Sequence, residues 1–310
     1  MYSTAVNSFM QNSEMKKFVA NIILFVIILA VCDFAIGSFL KYWRANHSSG
    51  IVENMEYTYK KCNDDLLVFG SSRATHHYVP SIISDSLHMT CFNCGRDGMG
   101  ILFHYGRWQM IRQHHKPKII LYDLTQNDYA QTDDKKYINE LKPYSSVENM
   151  SALFDDIDKM EKFKLLSHLY QNNSQFFEIF FGQYMTNKMD RGYEPHYGTI
   201  SKNHLLKDKD YTICSLKLKY LELFIQQAKA DGVKLAFFIS PYYIKDFAKY
   251  PPEVTALLDK YGIKYFDDSN IDGITSNGSL FTITKHLNHK GAEAYTRYII
   301  PQIREVMQKQ

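Results

Sequence analysis

Apolar residues are distributed along this chain in three ways, and each predicts a different kind of element. One long run, FVANIILFVIILAVCDFAIGSFL from residue 18 to 40, is long enough for a helix that crosses a bilayer. Short runs rich in Val, Ile, Leu and Phe recur at 65–69, 89–93, 118–124, 234–240 and 263–266, and these read as buried strands. Between and after them, at 98–113, 215–231, 252–261 and 290–309, apolar positions fall three and four apart, the spacing of an amphipathic helix. Strands that alternate with helices predict a parallel sheet covered on both faces, a three-layer α/β/α architecture with five strands.

The long run has Lys16 and Lys17 at one edge and Lys41, Tyr42, Trp43 and Arg44 at the other, as expected of an uncleaved signal anchor. A cleaved signal peptide is the other reading, but no small-x-small site follows the apolar core. Asn21 and Asp33 are costly inside a span. The expected organisation is therefore a short N-terminal segment (1–17), a transmembrane helix (18–40), a tether (41–61) and a catalytic-sized domain (62–310). Within that domain, residues 129–211 lack strand periodicity and are expected to form a mainly helical insertion.

Composition narrows the partners. The 36 basic and 33 acidic residues nearly cancel, and the basic ones are scattered, so no nucleic-acid footprint is expected. Cys91 and Cys94 form a lone CxxC without a second pair or a suitably spaced histidine pair. Buried thiols are the better reading, and neither a metal nor another cofactor is expected. The doublets His76-His77 and His114-His115 send adjacent side chains to different faces, which is poor ligand geometry.

Chemistry collects where the predicted strands end, the edge at which open α/β sheets bind ligands. The first strand runs into Gly70-Ser71-Ser72-Arg73, the second into NCGRDGMG (93–100) and the third into DLTQND (123–128); KHLNHKGA (285–292) lies near the C-terminus. A hydroxyl, glycine amides, a side-chain amide and an imidazole at one edge are the inventory of acyl transfer. Each block also has a plain structural reading: Gly-Ser-Ser as a turn and helix N-cap, the glycine-rich stretch as a turn, the histidine as a cap. The glycine-rich stretch is not a dinucleotide fingerprint, because it follows the second strand and its spacing is reversed.

In order and wording these four blocks resemble the SGNH (GDSL-type) hydrolases, in particular membrane-anchored bacterial members found with cell-envelope acyl-transfer systems. The resemblance spans residues from about 64 to the C-terminus. It implies a flavodoxin-like fold, Ser72 as nucleophile with Ser71 where the family often has Asp, and His286 as base. The oxyanion donors it implies are the amides of Ser72 and Gly98 and the side chain of Asn127. The family's acid would stand three residues before His286, where this chain has Ile283. Asp267, Asp268 or Asp272 in the preceding loop could replace it, as could a backbone carbonyl. Arg73 could hold an anionic or polyhydroxylated substrate or form a structural ion pair; Tyr242 and Tyr243 could form a sugar platform or pack in the core. The resemblance thus implies a serine esterase or O-acyltransferase that acts on acyl, in particular acetyl, esters of a cell-envelope glycan or another acylated small molecule. It would sit as a single-pass protein in the inner membrane with its domain on the outer side. The alternative is a catalytically degenerate module of the same fold that binds glycan or partners a membrane-bound acyltransferase.

Overall fold

The computed structural model describes residues 2–47, 49–185, 189–200, 212–245 and 250–308, with side chains described from residue 14 onward and not at 126–127, 182–183 or 185. The chain begins with one long helix, α1 (Tyr2–His47), followed by α2 (Gly50–Lys60). The α/β domain then runs β1 (Leu66–Gly70), α3 (Ser72–His77), α4 (Pro80–Leu87), β2 (Cys91–Asn93), α5 (Ile101–Arg112) and β3 (Ile119–Asp123). Next come the helices of the insertion: α6 (Lys135–Leu141), α7 (Met150–Ile157), α8 (Glu161–Lys164), α9 (His168–Asn172) and α10 (Phe176–Met185). Residues 201–211 of the expected insertion lie outside the described residues. The domain closes with α11 (Ser215–Ala230), β4 (Lys234–Ile239), α12 (Pro252–Lys260), β5 (Lys264–Asp267), a small hairpin of β6 (Phe281–Ile283) and β7 (His286–Leu287), and α13 (His289–Gln308).

The five main strands form one sheet in the order β2-β1-β3-β4-β5, every pair parallel. This is the expected three-layer arrangement, and each predicted strand falls within about two residues of an observed one. Alternate residues serve opposite faces. Leu67, Phe69, Ile120, Tyr122, Leu235 and Phe237 join a core with α5 and α11, including Trp108 and Phe224. Their neighbours Leu66, Val68, Ile119, Leu121, Ala236 and Phe238 pack against α3, α4 and α13 through Tyr78, Ile83, Tyr295 and Ile299. With both faces covered the central strands bury every residue, which is why they read as unbroken apolar runs. Truncating one of these side chains to Ala would cost about 2–5 kcal/mol.

The segment expected as a tether is a helix instead. In α2, Val52, Met55, Glu56 and Thr58 are buried. Glu56 accepts from Arg44 of α1 (2.8 Å) and from Tyr144 (3.0 Å), and Arg44 also reaches Asn172 (2.7 Å). Two of those four buried residues are polar, so the inward face of α2 does not read as apolar. The five cysteines are free; Cys91 and Cys94 are buried as expected, and Cys62 is buried as well.

Candidate functional site

The sheet order reverses beside β1: β2 lies on one side of it and β3 on the other, which opens a crevice beyond the strand ends. Gly70 turns the chain there. Its φ is +135°, and a Cβ at that position would lie 2.7 Å from the Asp123 carbonyl oxygen, so only glycine fits between β1 and β3. Ser71 caps α3. It is buried, and its carbonyl oxygen accepts from the Thr75 amide (3.2 Å) and hydroxyl (3.3 Å). Ser72, the first residue of α3, is partly exposed, and its Oγ lies 2.8 Å from His286 Nε2, across 214 residues of sequence. The two residues matched to nucleophile and base are in hydrogen-bond contact.

His286 stands on the β6–β7 hairpin, where it pairs with Ile283, so the expected acid position lies on the facing strand. His77 steadies this hairpin: its Nε2 accepts the Leu287 amide (3.0 Å) while its Nδ1 lies 2.8 Å from Ser240 Oγ. An imidazole that accepts through one nitrogen is uncharged. Burial, with Arg73 and the other histidines nearby, pushes its pKa well down.

His76, its neighbour in sequence, is in the opposite state. Its Nδ1 is 2.7 Å from the Glu194 carbonyl oxygen and its Nε2 is 3.0 Å from Asp97 Oδ2. Both partners only accept, so both ring nitrogens donate and His76 is an imidazolium. Burial is the largest influence and opposes the charge, but the bond to Asp97, its negative charge and the bond to Glu194 together outweigh it and raise the pKa. His196 stacks on His76 with ring centres 3.6 Å apart, and its own ring centre lies 5.5 Å from that of His286. The pKa of His286 is driven down to about 3, first by burial and then by the charges of His76 and His196; Asp97 opposes the shift. His286 is therefore uncharged at neutral pH, the form a general base needs, although a weak base.

The loop after β2 is fixed against α3. Asn93 donates to the carbonyls of Ala74 (2.7 Å) and Tyr78 (3.0 Å) and accepts from Gly95 (2.8 Å). Gly98 then turns with φ +71° in an exposed position, with nothing within 4 Å of where a Cβ would stand. Arg96, two residues earlier, makes a fork-like pair with Glu140 of the insertion at 2.7–3.1 Å. Asn127 belongs to a 3-10 turn (Gln126–Tyr129) just beyond β3; its side chain lies outside the described ones. Asp128, next in that turn, is buried, and burial pushes its pKa far up.

A strap from Asp190 to Ile200, the return leg of the insertion, closes the site's rim. Among the described residues, four backbone-to-backbone hydrogen bonds tie it to the rest of the domain: Arg191 O accepts from Asn93, Glu194 donates to Thr75 O, His196 O accepts from His289, and Ile200 donates to Gly278 O.

Three possibilities left open by the sequence are decided, each against the candidate site residue. Asp267 is exposed and accepts the Ser269 amide, Asp268 accepts from Tyr295 (3.2 Å) and Gln302 (2.9 Å), and Asp272 is exposed; among the described residues no hydrogen bond joins any of them to His286. Asp97, bonded to His76, bears on His286 only through its charge, which opposes the fall in the His286 pKa. Arg73 is 1% exposed, lies 3.5 Å from Asp123, bonds Ser240 and stacks over Tyr242 at 3.9 Å, so it supports the floor of the site and does not face a substrate. Tyr242 is buried with it, and Tyr243 packs its ring on Phe281. Sequence reasoning missed His76, Asp97 and His196. The one available signal was the four-residue spacing of Ser72 and His76, which places them on one face of α3.

No family model and no curated protein matches the sequence. Among solved structures the fold is similar to that of a protein assigned as lipolytic, of the G-D-S-L family, from Desulfitobacterium hafniense (TM-score 0.39, 9% identity, covering 76% of this chain and 97% of that one). It is also similar to an α/β hydrolase from the metagenome of Lake Arreo (0.41, 8%, 81% and 97%) and to a protein assigned as an acylhydrolase from Bacteroides fragilis (0.40, 10%, 85% and 98%). The functional reading rests on the site geometry.

Proposed function

We propose that the protein is a serine hydrolase or acyltransferase of the SGNH type, and more particularly a membrane-anchored one that handles acyl esters of a cell-envelope glycan. The observation that carries the reading is the 2.8 Å contact between Ser72 Oγ and an uncharged His286. With the hydroxyl donating, Nε2 takes the proton as Oγ attacks the ester carbonyl, and the carbonyl π-electrons move onto oxygen. The amides of Ser72 and Gly98 and the side chain of Asn127 are the expected donors to that oxyanion. Collapse expels the alcohol, which recovers the proton from His286, and leaves an acyl-serine. Water then resolves it in an esterase, and a sugar hydroxyl in a transferase. A cavity of about 290 Å³ that shares His196 with the site, lined also by Tyr197, Asn288 and His289, offers room for an acceptor. α1 is long and apolar enough to cross a membrane, and we assign it as the anchor, with the domain on the outer face of the inner membrane.

The test is a fluorophosphonate probe on the full chain in detergent. Adduct mass on the peptide that contains Ser72, abolished in Ser72→Ala, is expected. A properly melting protein that reacts with no probe and hydrolyses no acetyl ester would favour the second reading, a glycan-binding or acyltransferase-partner module. That reading draws on Ile283 facing His286 where an acid would stand.

A further inference from the structure

Asp33 is one of the two costly residues of the long apolar run, and the structure gives it partners. Its carboxylate accepts from the Ser167 hydroxyl and from the amides of His168 (2.8 Å) and Leu169 (3.2 Å), at the start of α9. One stripe of α1, Asp33, Gly37, Leu40 and Arg44, is turned toward the insertion at spacings of four, three and four. At Gly37 the backbones approach so closely that a Cβ would lie 2.4 Å from the His168 carbonyl carbon. Higher on α1, Phe39 and Trp43 pack on Phe180 of α10.

This contact fixes the height of the insertion along α1. A hydrocarbon core of about 30 Å takes about 20 residues of helix at 1.5 Å each. Measured from Phe18, the core would end near Gly37, with Asp33 about 6 Å inside it. Measured back from the Trp43 anchor, Asp33 lies about 15 Å deep. On either placement, the turn that bonds Asp33 lies below the leaflet surface. The side chains it carries outward suit that position: Leu166, adjacent to the Asp33-binding serine, is 79% exposed, and Phe163, Phe176, Phe177, Phe181 and Tyr184 are exposed on α8 and α10. Phe177, Phe181 and Tyr184 form a single helical stripe. Lys159 and Lys162 flank this apolar surface, where they can meet lipid phosphates.

We infer that the α8–α10 part of the insertion is embedded in the bilayer leaflet from which α1 emerges, with this aromatic surface among the acyl chains. The inference rests on the reading of α1 as a membrane span. It is tested on the full chain in phosphatidylcholine vesicles containing one-fifth phosphatidylglycerol, with and without bromine on the acyl chains. Leu166→Trp and, independently, Phe177→Trp should add emission that brominated lipid quenches and aqueous iodide does not; Tyr298→Trp, on α13, should show the reverse. The anchor is read separately, from the difference between wild type and Trp43→Phe. If Trp43 is quenched by lipid but the added tryptophans respond only to iodide, the surface lies in water and the inference is wrong. If they respond to neither, a protein partner or a second copy covers the surface, and the inference is again wrong. If Trp43 is not quenched either, the membrane span itself falls, and the embedding with it.

Discussion

The strand-end site and the seam between α1 and the insertion both bring charged groups into places short of water, but they dispose of them differently. At the seam every charge is answered: Asp33 receives three donors, and Arg44 is shared between Glu56 and Asn172. Such a network holds two pieces of backbone in register and leaves nothing to react. At the site the charges do not cancel at the point of contact. The imidazolium of His76 is satisfied by Asp97 and Glu194, yet its field falls on His286, which is left uncharged against a partly exposed hydroxyl. The same kinds of groups make a fastener in one region and a candidate reactive centre in the other, according to whether the last proton acceptor is already occupied.

That contrast can be broken most sharply at Ser72. A full Ser-His-acid triad loses on the order of a millionfold in turnover without its serine, and about ten-thousandfold when the acid's role alone is lost. With Asp97 acting only at a distance, Ser72→Ala should cost between about a hundredfold, the ratio of those two losses, and about a millionfold on a small acetyl ester, with unchanged thermal melting. A loss smaller than tenfold would remove the nucleophile assignment. Asp33→Ala should do the opposite: it strands a hydroxyl and two amides and should cost about 1–3 kcal/mol in stability, with turnover per folded molecule preserved. Unfolding in detergent and active-site titration separate the two quantities.

A smaller effect probes the field itself. Because His76 helps hold the His286 pKa near 3, the low-pH limb of kcat/KM should lie well below that of an ordinary imidazole base. His76→Ala removes a cation, so the His286 pKa should rise and the low-pH limb should move upward by about one unit or more. A downward shift or none would show that the His76 charge does not reach the base. The least effect is expected at Asp268. Burial raises its pKa to about 6, so the folded state favours the protonated carboxyl; the stability it contributes is complete below about pH 4 and is lost as pH rises through about 6. Asp268→Asn should therefore stabilise the protein by about 1–2 kcal/mol at pH 7, and the gain should fade toward pH 4 in denaturant titrations. A gain independent of pH would argue that the carboxyl never ionises.

Much of this was legible in the sequence because burial on both faces writes itself as apolar runs. β1, β3 and β4 could be placed from Leu66–Gly70, Ile119–Asp123 and Lys234–Ile239 for that reason. Ser72 and His286 were legible from the order of short blocks at strand ends. What escaped depended on polar groups finding partners far along the chain. α2 hides because Glu56 and Thr58 face inward. The β6–β7 hairpin is too short to show a period. Asp97 and His196 carry no local pattern at all: Asp97 meets His76 from the loop after β2, 21 residues on, and His196 meets it only after the insertion has returned to the sheet.

The strap from Asp190 to Ile200 has a consequence for the order of folding. Ser72 and His286 are 214 residues apart, and the strap that stacks His196 beside them is bonded to segments from both ends of the domain. Contacts of such long sequence separation form late, because the closure entropy of the intervening loops must be overcome first. The sheet can therefore be complete while the chain is still inert, and activity should lag behind secondary structure during refolding. On the proposed function, a newly made chain would acquire the capacity to cleave esters only after its insertion and its C-terminal hairpin have both docked.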